Sequence, residues 1–229
     1  VITVGEGLEA DIHELTLWNY ARTSSESLSD IYLTKSPFTQ GLIGYWKLNE
    51  GYGTMARDYV RNRHLIISGD NSWYLENENK ALEIDGNNYV AMNVVHCPTN
   101  ADDNYLIEFW FKGEKQDGVA TLLSMSNNNN IFDIRFDEDG YLEVATSQEI
   151  YSNSYKNYHD NNWHHLALNV LKANHSSAIV YIDGENVVQI DADEFPAIQT
   201  DKLIFGAYYH DYEYAQYFKG AFDEIRYWK

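Results

Sequence analysis

The sequence predicts an all-β fold, a sandwich of two antiparallel sheets. Many short stretches rich in β-branched and aromatic residues alternate with turns rich in Asn, Asp, Gly and Ser. Two pairs of such stretches flank an Asp-Gly dipeptide, which is a strong local signal for a β-hairpin. Only three prolines occur in the 229 residues, so few predicted strands contain a residue that cannot donate to a sheet.

The first predicted hairpin spans residues 131–145. Phe132, Ile134 and Phe136 alternate with polar residues, which places the three apolar side chains on one face of a strand. An Asp-Gly turn at 139–140 reverses the chain, and the returning segment again alternates apolar and polar residues. These residues are therefore expected to form two antiparallel strands with one buried face.

A second hairpin follows the same pattern between residues 177 and 190, around an Asp-Gly turn at 183–184. Seven further segments have the composition of strands and are separated by Asn, Asp, Gly or Ser. They are residues 42–48, 81–84, 89–94, 106–112, 163–171, 202–206 and 218–228. Many short strands at this spacing are typical of a β-sandwich.

One helix is predicted near the N-terminus, at residues 23–33. Thr23 and Glu26 have the spacing of a capping box, in which each side chain binds the backbone N–H of the other residue. Apolar residues then recur at helical spacing as far as Leu33, and the Ser-Pro pair at 36–37 ends the helix.

A short repeat suggests how the chain is divided. Residues 14–18 are similar to residues 224–228, which lie 210 positions later. We therefore expect residues 1–40 to be the C-terminal strand and short helix of a preceding repeat, and residues 41–229 to be one complete domain. The alternative is that the N-terminal segment adds a strand to the same sandwich.

The charge of the chain excludes one class of partner. It has 35 Asp and Glu against 16 Lys and Arg, a formal net charge of −19. A nucleic-acid-binding protein needs a basic surface for the phosphates, so nucleic acid is not expected as a partner. No apolar run approaches the roughly 18 residues of a membrane-spanning helix, so membrane insertion is not expected either. The single cysteine, Cys97, allows no internal disulfide.

Five segments carry a resemblance to a known family. They are residues 41–54 (GLIGYWKLNEGYGT), 58–64, 81–90 (ALEIDGNNYV), 162–167 with 180–184, and 218–228 (FKGAFDEIRYW). In this order they are similar to motifs of laminin G-like, or concanavalin A-like, jelly-roll domains of bacterial extracellular proteins. The resemblance implies a jelly-roll sandwich of two antiparallel sheets over residues 41–229. It also implies secretion or display at the cell surface, with neighbouring repeats of the same polypeptide as partners.

The resemblance further implies a structural calcium ion, because many relatives hold one near the domain edge. Asp58, Asn62 and Asp223 occupy compatible positions and carry the oxygen ligands that Ca²⁺ prefers. Residues 59–61 depart from the small residues of the family pattern in this loop. The alternative role for these three side chains is loop capping and solvated charge.

A tyrosine-rich segment between the last two predicted strands is the candidate ligand site. Aromatic rings stack on the apolar faces of sugars, while carboxylate and amide groups bind the hydroxyls. The candidate ligand-binding residues are Tyr208, Tyr209, His210, Asp211, Tyr212 and Tyr214. A second tyrosine-rich stretch, residues 151–158, is a candidate for the same rim. The alternative is an ordered loop that packs against the domain.

Catalysis is not expected from this sequence. Glycoside hydrolysis needs two suitably spaced carboxyl groups, and hydrolases of related fold place them on one strand as E-x-D-x-E or E-x-D-x-x-E. Glu83 and Asp85 begin this pattern, but residues 87–88 are both Asn where the closing Glu is required.

The resemblance and the tyrosine-rich segment together predict a non-catalytic module that binds carbohydrate or glycoprotein. The alternatives are a structural spacer or protein-adhesion module, and a glycoside hydrolase.

The tryptophans of the predicted strands are interpreted as core or strand-face packing residues; they are Trp46, Trp110, Trp163 and Trp228. His164 and His165 fall on opposite faces of a strand, so they are not expected to hold one metal ion.

Overall fold

A computed structural model describes residues 39, 42–68, 72–76, 79–93, 104–125, 131–171, 177–191, 202–210 and 213–228. The chain divides into two compact units, Val1–Ser36 and Pro37–Lys229, and every described residue belongs to the second. The predicted helix at 23–33, the repeat copy at 14–18 and Cys97 lie outside the described residues. The assignment of residues 1–40 to a preceding repeat stays a prediction.

Eighteen β-strands and no helix occur in the described part of the chain. The strands are β1 (Leu42–Trp46), β2 (Met55–Ala56), β3 (Leu65–Ser68), β4 (Ser72–Glu76), β5 (Asn79–Asp85), β6 (Tyr89–Asn93), β7 (Tyr105–Gly113), β8 (Ala120–Ser124), β9 (Phe132–Phe136), β10 (Tyr141–Thr146), β11 (Ile150–Asn157), β12 (Trp163–Leu171), β13 (Ser177–Ile182), β14 (Glu185–Asp191), β15 (Lys202–Phe205), β16 (Tyr208–His210), β17 (Glu213–Ala215) and β18 (Lys219–Trp228). Among these residues there is accordingly no helix long and apolar enough to cross a membrane.

The strands form two large sheets whose neighbouring strands pair antiparallel. The first sheet has the order β14-β13-β12-β7-β18-β5-β4, and β1 also pairs with β18. The second sheet has the order β11-β10-β9-β8-β15-β6-β3-β2. Strands β16 and β17 form a separate two-stranded ribbon. The predicted jelly-roll sandwich of two antiparallel sheets is confirmed.

The main core lies between the two large sheets. Alternate residues of β7 are buried, and two of them show how the sheets meet. Phe109 packs edge-on against Phe205 of the second sheet, with ring centroids 5.4 Å apart. The ring centroid of Phe111 lies 5.7 Å from that of Phe136, also of the second sheet. Each buried aromatic ring removes a large apolar area from water, at roughly 25 cal/mol per Å², so this layer dominates the stability of the domain.

Both predicted hairpins are confirmed. Strand β9 pairs with β10 and β13 pairs with β14, and Gly140 and Gly184 of the two Asp-Gly turns have φ angles of 84° and 81°. Strand β8 was not predicted, because all five of its residues are buried and it has no alternating pattern. Strand β11 was not predicted either, because Ser, Asn and Lys occupy most of its eight positions.

His164 and His165 lie on opposite faces of β12, as predicted. The ring of His164 is buried, with Nδ1 2.7 Å from Asp183 Oδ2 and Nε2 3.1 Å from Asp160 Oδ1. The His164 ring therefore links the start of β12 to the turn that follows β13. His165 belongs to the outer face of the first sheet.

Candidate functional site

The tyrosine-rich segment forms a β-hairpin, strands β16 and β17, and not an open loop. In this ribbon Tyr208 pairs with Ala215 and Tyr209 pairs with Tyr214. Since side chains alternate along a strand, Tyr209 lies on one side of the ribbon, while Tyr208 and His210 lie on the other. Asp211 and Tyr212, also predicted to bind ligand, lie outside the described residues.

One side of this hairpin is used in packing. Tyr209 is buried in a small apolar cluster with Ala91, Ile204 and Ala207. The Tyr214 ring stacks on Tyr89 with centroids 3.9 Å apart. Burial and the hydrogen bond with Tyr89 raise the pKa of the Tyr214 hydroxyl above its usual range. These two predicted ligand contacts therefore attach the hairpin to the outer surface of the second sheet.

The other side of the hairpin is more open. Tyr208 and His210 are half-buried, and their rings are nearly parallel, with centroids 6.0 Å apart. Glu213 and Ala215 are exposed on the same side. In the second tyrosine-rich stretch, Tyr155 is 94% exposed whereas Tyr158 is buried.

The predicted calcium ligand Asp58 is a buried acceptor that organises its own loop. Its Oδ1 accepts backbone N–H bonds from Tyr45 (3.2 Å) and Val60 (2.8 Å). Its Oδ2 accepts from the backbone N–H groups of Arg61 (3.1 Å) and Arg63 (3.0 Å). A carboxylate offers about four lone-pair sites, so these four bonds use its capacity. A cation bound to Asp58 would have to replace some of them.

The other two predicted calcium ligands differ in environment. Asn62 is exposed and has a φ angle of 56°, the left-handed conformation that asparagine tolerates in tight turns. Asp223 is half-buried on β18 and accepts a hydrogen bond from the backbone N–H of Glu224. Within the described residues no three His, Cys, Asp or Glu side chains come together as a metal site. Calcium binding at this edge stays a prediction.

The outer face of the first sheet carries a group of polar and aromatic side chains from four neighbouring strands. It is called the β7 face here, and it consists of Glu83, Glu108, Trp110, Lys112, His165, Ala221, Asp223 and Arg226. Strand β7 contributes every second residue, because the residues between them are buried in the core. In strand register, Trp110 lies between His165 of β12 and Asp223 of β18.

A β-bulge in β18 keeps its polar residues on this face. Asp223 pairs with Trp110 and Arg226 pairs with Glu108, so β18 has one more residue than β7 over this interval. The extra residue is Glu224, whose φ angle is 50°. The bulge allows Asp223 and Arg226 both to point outward, while Ile225 between them is buried in the core.

A network of charges surrounds Glu108, at the end of the β7 face that is nearest the start of β7. Glu108 accepts a hydrogen bond from Trp228 Nε1 at 2.9 Å and lies 3.3 Å from His165 Nε2 and 3.8 Å from Arg226 Nη1. Burial by itself would raise the pKa of Glu108, but the hydrogen bond from His165 and the Arg226 charge lower it to about 2. Arg226 also binds Glu224, which accepts a hydrogen bond from the Tyr45 hydroxyl. The network thus connects side chains of β1, β7, β12 and β18.

Trp110 is the exposed aromatic group of the β7 face. Its side chain is 39% exposed, and its ring meets His165 edge-on with centroids 5.2 Å apart. The sequence pattern predicted core or strand-face packing for Trp46 and Trp110. Trp46 is fully buried in the core, whereas Trp110 packs against His165 on the outer face of the sheet and keeps part of its ring exposed to a partner.

Asp223 lies opposite Trp110, and its pKa is shifted in the opposite direction to that of Glu108. Burial, followed by the neighbouring charge of Glu224, raises the pKa of Asp223 to about 8. The carboxyl group is therefore protonated at neutral pH and can donate a hydrogen bond. Ca²⁺ would have to displace this proton in order to bind Asp223.

The raised pKa of Asp223 predicts a measurable pH dependence. Above about pH 4 the unfolded state releases this proton while the folded state keeps it, so the free energy of unfolding should fall as pH rises to about 8. Between pH 5 and 9 the unfolding free energy of the wild type should fall by at least about 1 kcal/mol more than that of the Asp223→Asn variant. Urea unfolding at five pH values measures this difference. Parallel curves for the two proteins would contradict it, and the exposed Asp117→Asn variant is the control.

A small polar cavity lies at the other end of the β7 face, beside Lys112 near the end of β7. Its volume is about 190 Å³, and it is lined by Glu83, Lys112, Glu114, Asn161, Gly220 and Ala221. Ala221 forms the floor, because in register it lies between Lys112 of β7 and Glu83 of β5. The small side chain of Ala221 leaves open the space that a larger side chain would fill.

The acidic side chains of β5 lie on a different sheet from those of β9 and β10. Glu83 and Asp85 lie on β5 of the first sheet, and Asp85 accepts a hydrogen bond from the backbone N–H of Asn87 in the following turn. Asp133 and Glu143 lie on the second sheet, where Glu143 pairs with Arg135 at 3.1 Å. The two pairs therefore belong to different faces of the sandwich.

The β7 face was not predicted from the sequence. Strands were predicted at 106–112, 163–171 and 218–228, and each has outward polar or aromatic positions that are visible in the alternation. Nothing in the alternation shows that these three strands are neighbours. Trp110, His165 and Asp223 meet only because β12 and β18 flank β7.

The fold and its polar outer face define a jelly-roll β-sandwich domain. The model of a laminin G family, described as the concanavalin A-like lectin/glucanases superfamily, matches residues 84–229. The chain belongs to this superfamily, as the resemblance of its motifs predicted. A search of curated proteins finds no sequence match.

Solved structures with the same fold include binding domains of larger proteins. Domain 4 of an extracellular arabinanase from Geobacillus stearothermophilus, in complex with arabinotriose, has a TM-score of 0.62 and 18% identity over 82% of this chain and 92% of that chain. The binding domain of botulinum neurotoxin DC, in complex with rat synaptotagmin II, has a TM-score of 0.61 and 13% identity over 82% of this chain and 48% of that chain. A botulinum neurotoxin type C structure, described for its interaction with two ganglioside molecules, has a TM-score of 0.60 and 13% identity over 82% and 47% of the two chains. The chain thus spans about half of each neurotoxin chain, and at these identities the similarity shows a shared fold.

Proposed function

We propose that this chain is a non-catalytic module that binds carbohydrate or glycoprotein, and that the β7 face is its binding surface. The observation that carries the proposal is Trp110, a large aromatic ring that is 39% exposed on a sheet face beside a polar cavity. An exposed tryptophan can stack on the apolar face of a sugar ring. The carboxylate, amide and ammonium groups around it can bind the sugar hydroxyls.

Side-chain contacts link the strands of the β7 face. Glu108 and Arg226 each have charged or hydrogen-bonded partners, so β12 and β18 are both linked to β7 beside Trp110. Preformed sites lose less conformational entropy when they bind. The same contacts support a non-catalytic role, because the carboxylate of Glu108 is already bound to side chains of the protein.

The structural relatives support the proposal. The arabinanase domain was solved with arabinotriose, and the neurotoxin domains are described with a protein and with gangliosides. The description of the arabinanase as extracellular also supports the prediction that this module is secreted or displayed at the cell surface. Partnership with neighbouring repeats of the same polypeptide remains a proposal from the sequence.

The Trp110→Ala variant tests the site. If the ring stacks on a sugar, its loss should weaken binding by at least about tenfold, which corresponds to about 1.4 kcal/mol. Affinity electrophoresis through gels that contain arabinan, xylan, β-glucan, galactan or mucin identifies a ligand, and calorimetry then measures the affinity. Tyr52→Ala is the control, because Tyr52 is an 80% exposed aromatic residue outside the β7 face and outside both tyrosine-rich stretches.

Two outcomes would count against this proposal. If Tyr208→Ala abolishes binding and Trp110→Ala does not, the binding surface is the open side of the hairpin. If no polysaccharide or glycoprotein retards the wild type, the carbohydrate-binding function itself is wrong.

One observation favours the alternative of a structural spacer or adhesion module. Tyr209 and Tyr214 are packed against the second sheet, as expected of a hairpin that has a structural role. A spacer would bind none of the glycans above. It would instead associate through its surface with a neighbouring domain, and analytical ultracentrifugation of this chain mixed with such a domain would detect the complex.

A further inference from the structure

We propose that the cavity above Ala221 takes one uncharged sugar unit, so that the module binds neutral glycans and discriminates against sialylated and uronic-acid-containing ones. This inference rests on the proposed carbohydrate-binding function and adds the chemical class of the ligand. It stands on the size of the cavity, on its position beside Trp110 and on the charges of its walls.

The size of the cavity matches one sugar unit better than a whole oligosaccharide. Its volume is about 190 Å³, whereas pockets that enclose a drug-sized ligand measure about 300–1,000 Å³. Lys112 lines the cavity and lies two residues after Trp110 on the same face of β7. Residues two apart on a strand are separated by about 6.8 Å. One sugar unit in the cavity would therefore place the next unit over the Trp110 ring.

The walls of the cavity are held by backbone bonds. The Asn161 N–H donates to Gly113 O at 2.9 Å, and the Glu114 N–H donates to Lys219 O at 3.0 Å. Gln116 connects the same two segments of backbone, because its side chain accepts a hydrogen bond from the Lys219 N–H and donates one to Tyr217 O. The polar side chains of the cavity therefore project from a fixed frame.

The charges of the cavity favour an uncharged ligand. Two of its six lining residues are carboxylates, Glu83 and Glu114, and one is a cation, Lys112. Lys219 precedes the lining residue Gly220, pairs with Asp85 in strand register and binds Glu114 at 2.8 Å, and its pKa is raised by Glu114, Glu83 and Asp85. These residues together comprise three carboxylates and two ammonium groups.

A ligand carboxylate would meet repulsion at short and at long range. The local excess of carboxylates opposes it in the cavity, and the net charge of −19 opposes its approach. Sugar hydroxyls suit the same walls, because they can donate to Glu83 and Glu114 and accept from Lys112 and Asn161. The site thus combines the groups that recognise a polyol with a field that excludes an anion.

A glycan array with neutral glycans and their sialylated or uronic counterparts tests the inference. We expect the bound glycans to be neutral, with at least tenfold weaker binding of each charged counterpart at low salt. We expect the difference to shrink at 0.5 M NaCl, because salt screens the repulsion. Preferential binding of sialylated or uronic glycans would overturn the inference and leave the proposed function standing. Absence of all glycan binding would overturn the proposed function itself.

Variants then test the cavity, with the tightest neutral glycan of the array as probe. Ala221→Leu fills the floor and should weaken binding at least tenfold, whereas the exposed Ala215→Leu on the hairpin should leave it within twofold. The double variant Glu83→Gln, Glu114→Gln keeps the shape of the cavity and should reduce the discrimination against charged glycans to threefold or less. Unchanged binding by Ala221→Leu, or unchanged discrimination by the double variant where Ala221→Leu does not fold, would overturn the assignment to this cavity.

Discussion

The Gly220→Ala variant is expected to lose about 4 kcal/mol or more of unfolding free energy, enough to lower the melting temperature by about 10 °C. Gly220 has a φ angle of 153°, in a region that residues with a side chain rarely adopt. A Cβ atom added to Gly220 would lie 1.9 Å from the backbone oxygen of Lys112. Strand β18 pairs with β7 at this point, so the clash would separate two central strands of the first sheet.

Gly184→Ala is the matched control for this prediction. Gly184 has a φ angle of 81°, but a Cβ atom added there would meet nothing within 4 Å. This variant carries the backbone strain without the clash and should cost about 1 kcal/mol. Thermal and urea unfolding of both variants measure the difference. If Gly220→Ala is no more destabilised than Gly184→Ala, the close approach of β18 to β7 is wrong.

The Asp58→Ala variant is expected to lose about 3 kcal/mol of unfolding free energy. It removes the acceptor of four backbone N–H groups, in the loop between β2 and β3 and on β1. The N–H of Tyr45 is buried and would have no partner, whereas water can reach some of the others. Urea unfolding measures the loss, and the exposed Asp117→Ala variant, expected to change stability by less than about 0.5 kcal/mol, is the control.

The same variant decides the role of calcium at Asp58. If hydrogen bonding is the role of this carboxylate, the loss should be equal in calcium and in a chelator. A loss that appears only with calcium present would instead support the predicted ion site, since a bound ion stabilises the folded state. A melting temperature of the wild type that rises with calcium would support the same conclusion.

Local sequence was sufficient where the cause of structure is local. The Asp-Gly turns at 139–140 and 183–184 predicted two hairpins, because glycine accepts the positive φ angle that these turns require. It was insufficient for β8, whose five residues are all buried and show no alternation. It also missed the ribbon of β16 and β17, because the tyrosines of this segment suit a strand as well as a ligand-binding loop.

The candidate site shows the limit of local information most clearly. Tyr208 and Tyr209 are adjacent in the sequence, yet only Tyr209 is buried, because the ribbon turns its two sides toward different surroundings. Asp58 had the chemistry of a calcium ligand in the sequence. Its four N–H partners become visible only when β1 and the loop after β2 are placed together.

The all-β class, the two Asp-Gly hairpins, the jelly-roll family and the strongly acidic net charge could all be deduced from the order and composition of the residues. These properties depend on turn chemistry, alternation, short motifs and composition, all of which can be counted along the chain. The tertiary structure alone decided that Trp110, His165 and Asp223 share a face and that a cavity opens above Ala221. Strand order and register are set by how the two sheets bury their aromatic core, so contacts between residues this far apart in the sequence cannot be deduced from either segment alone.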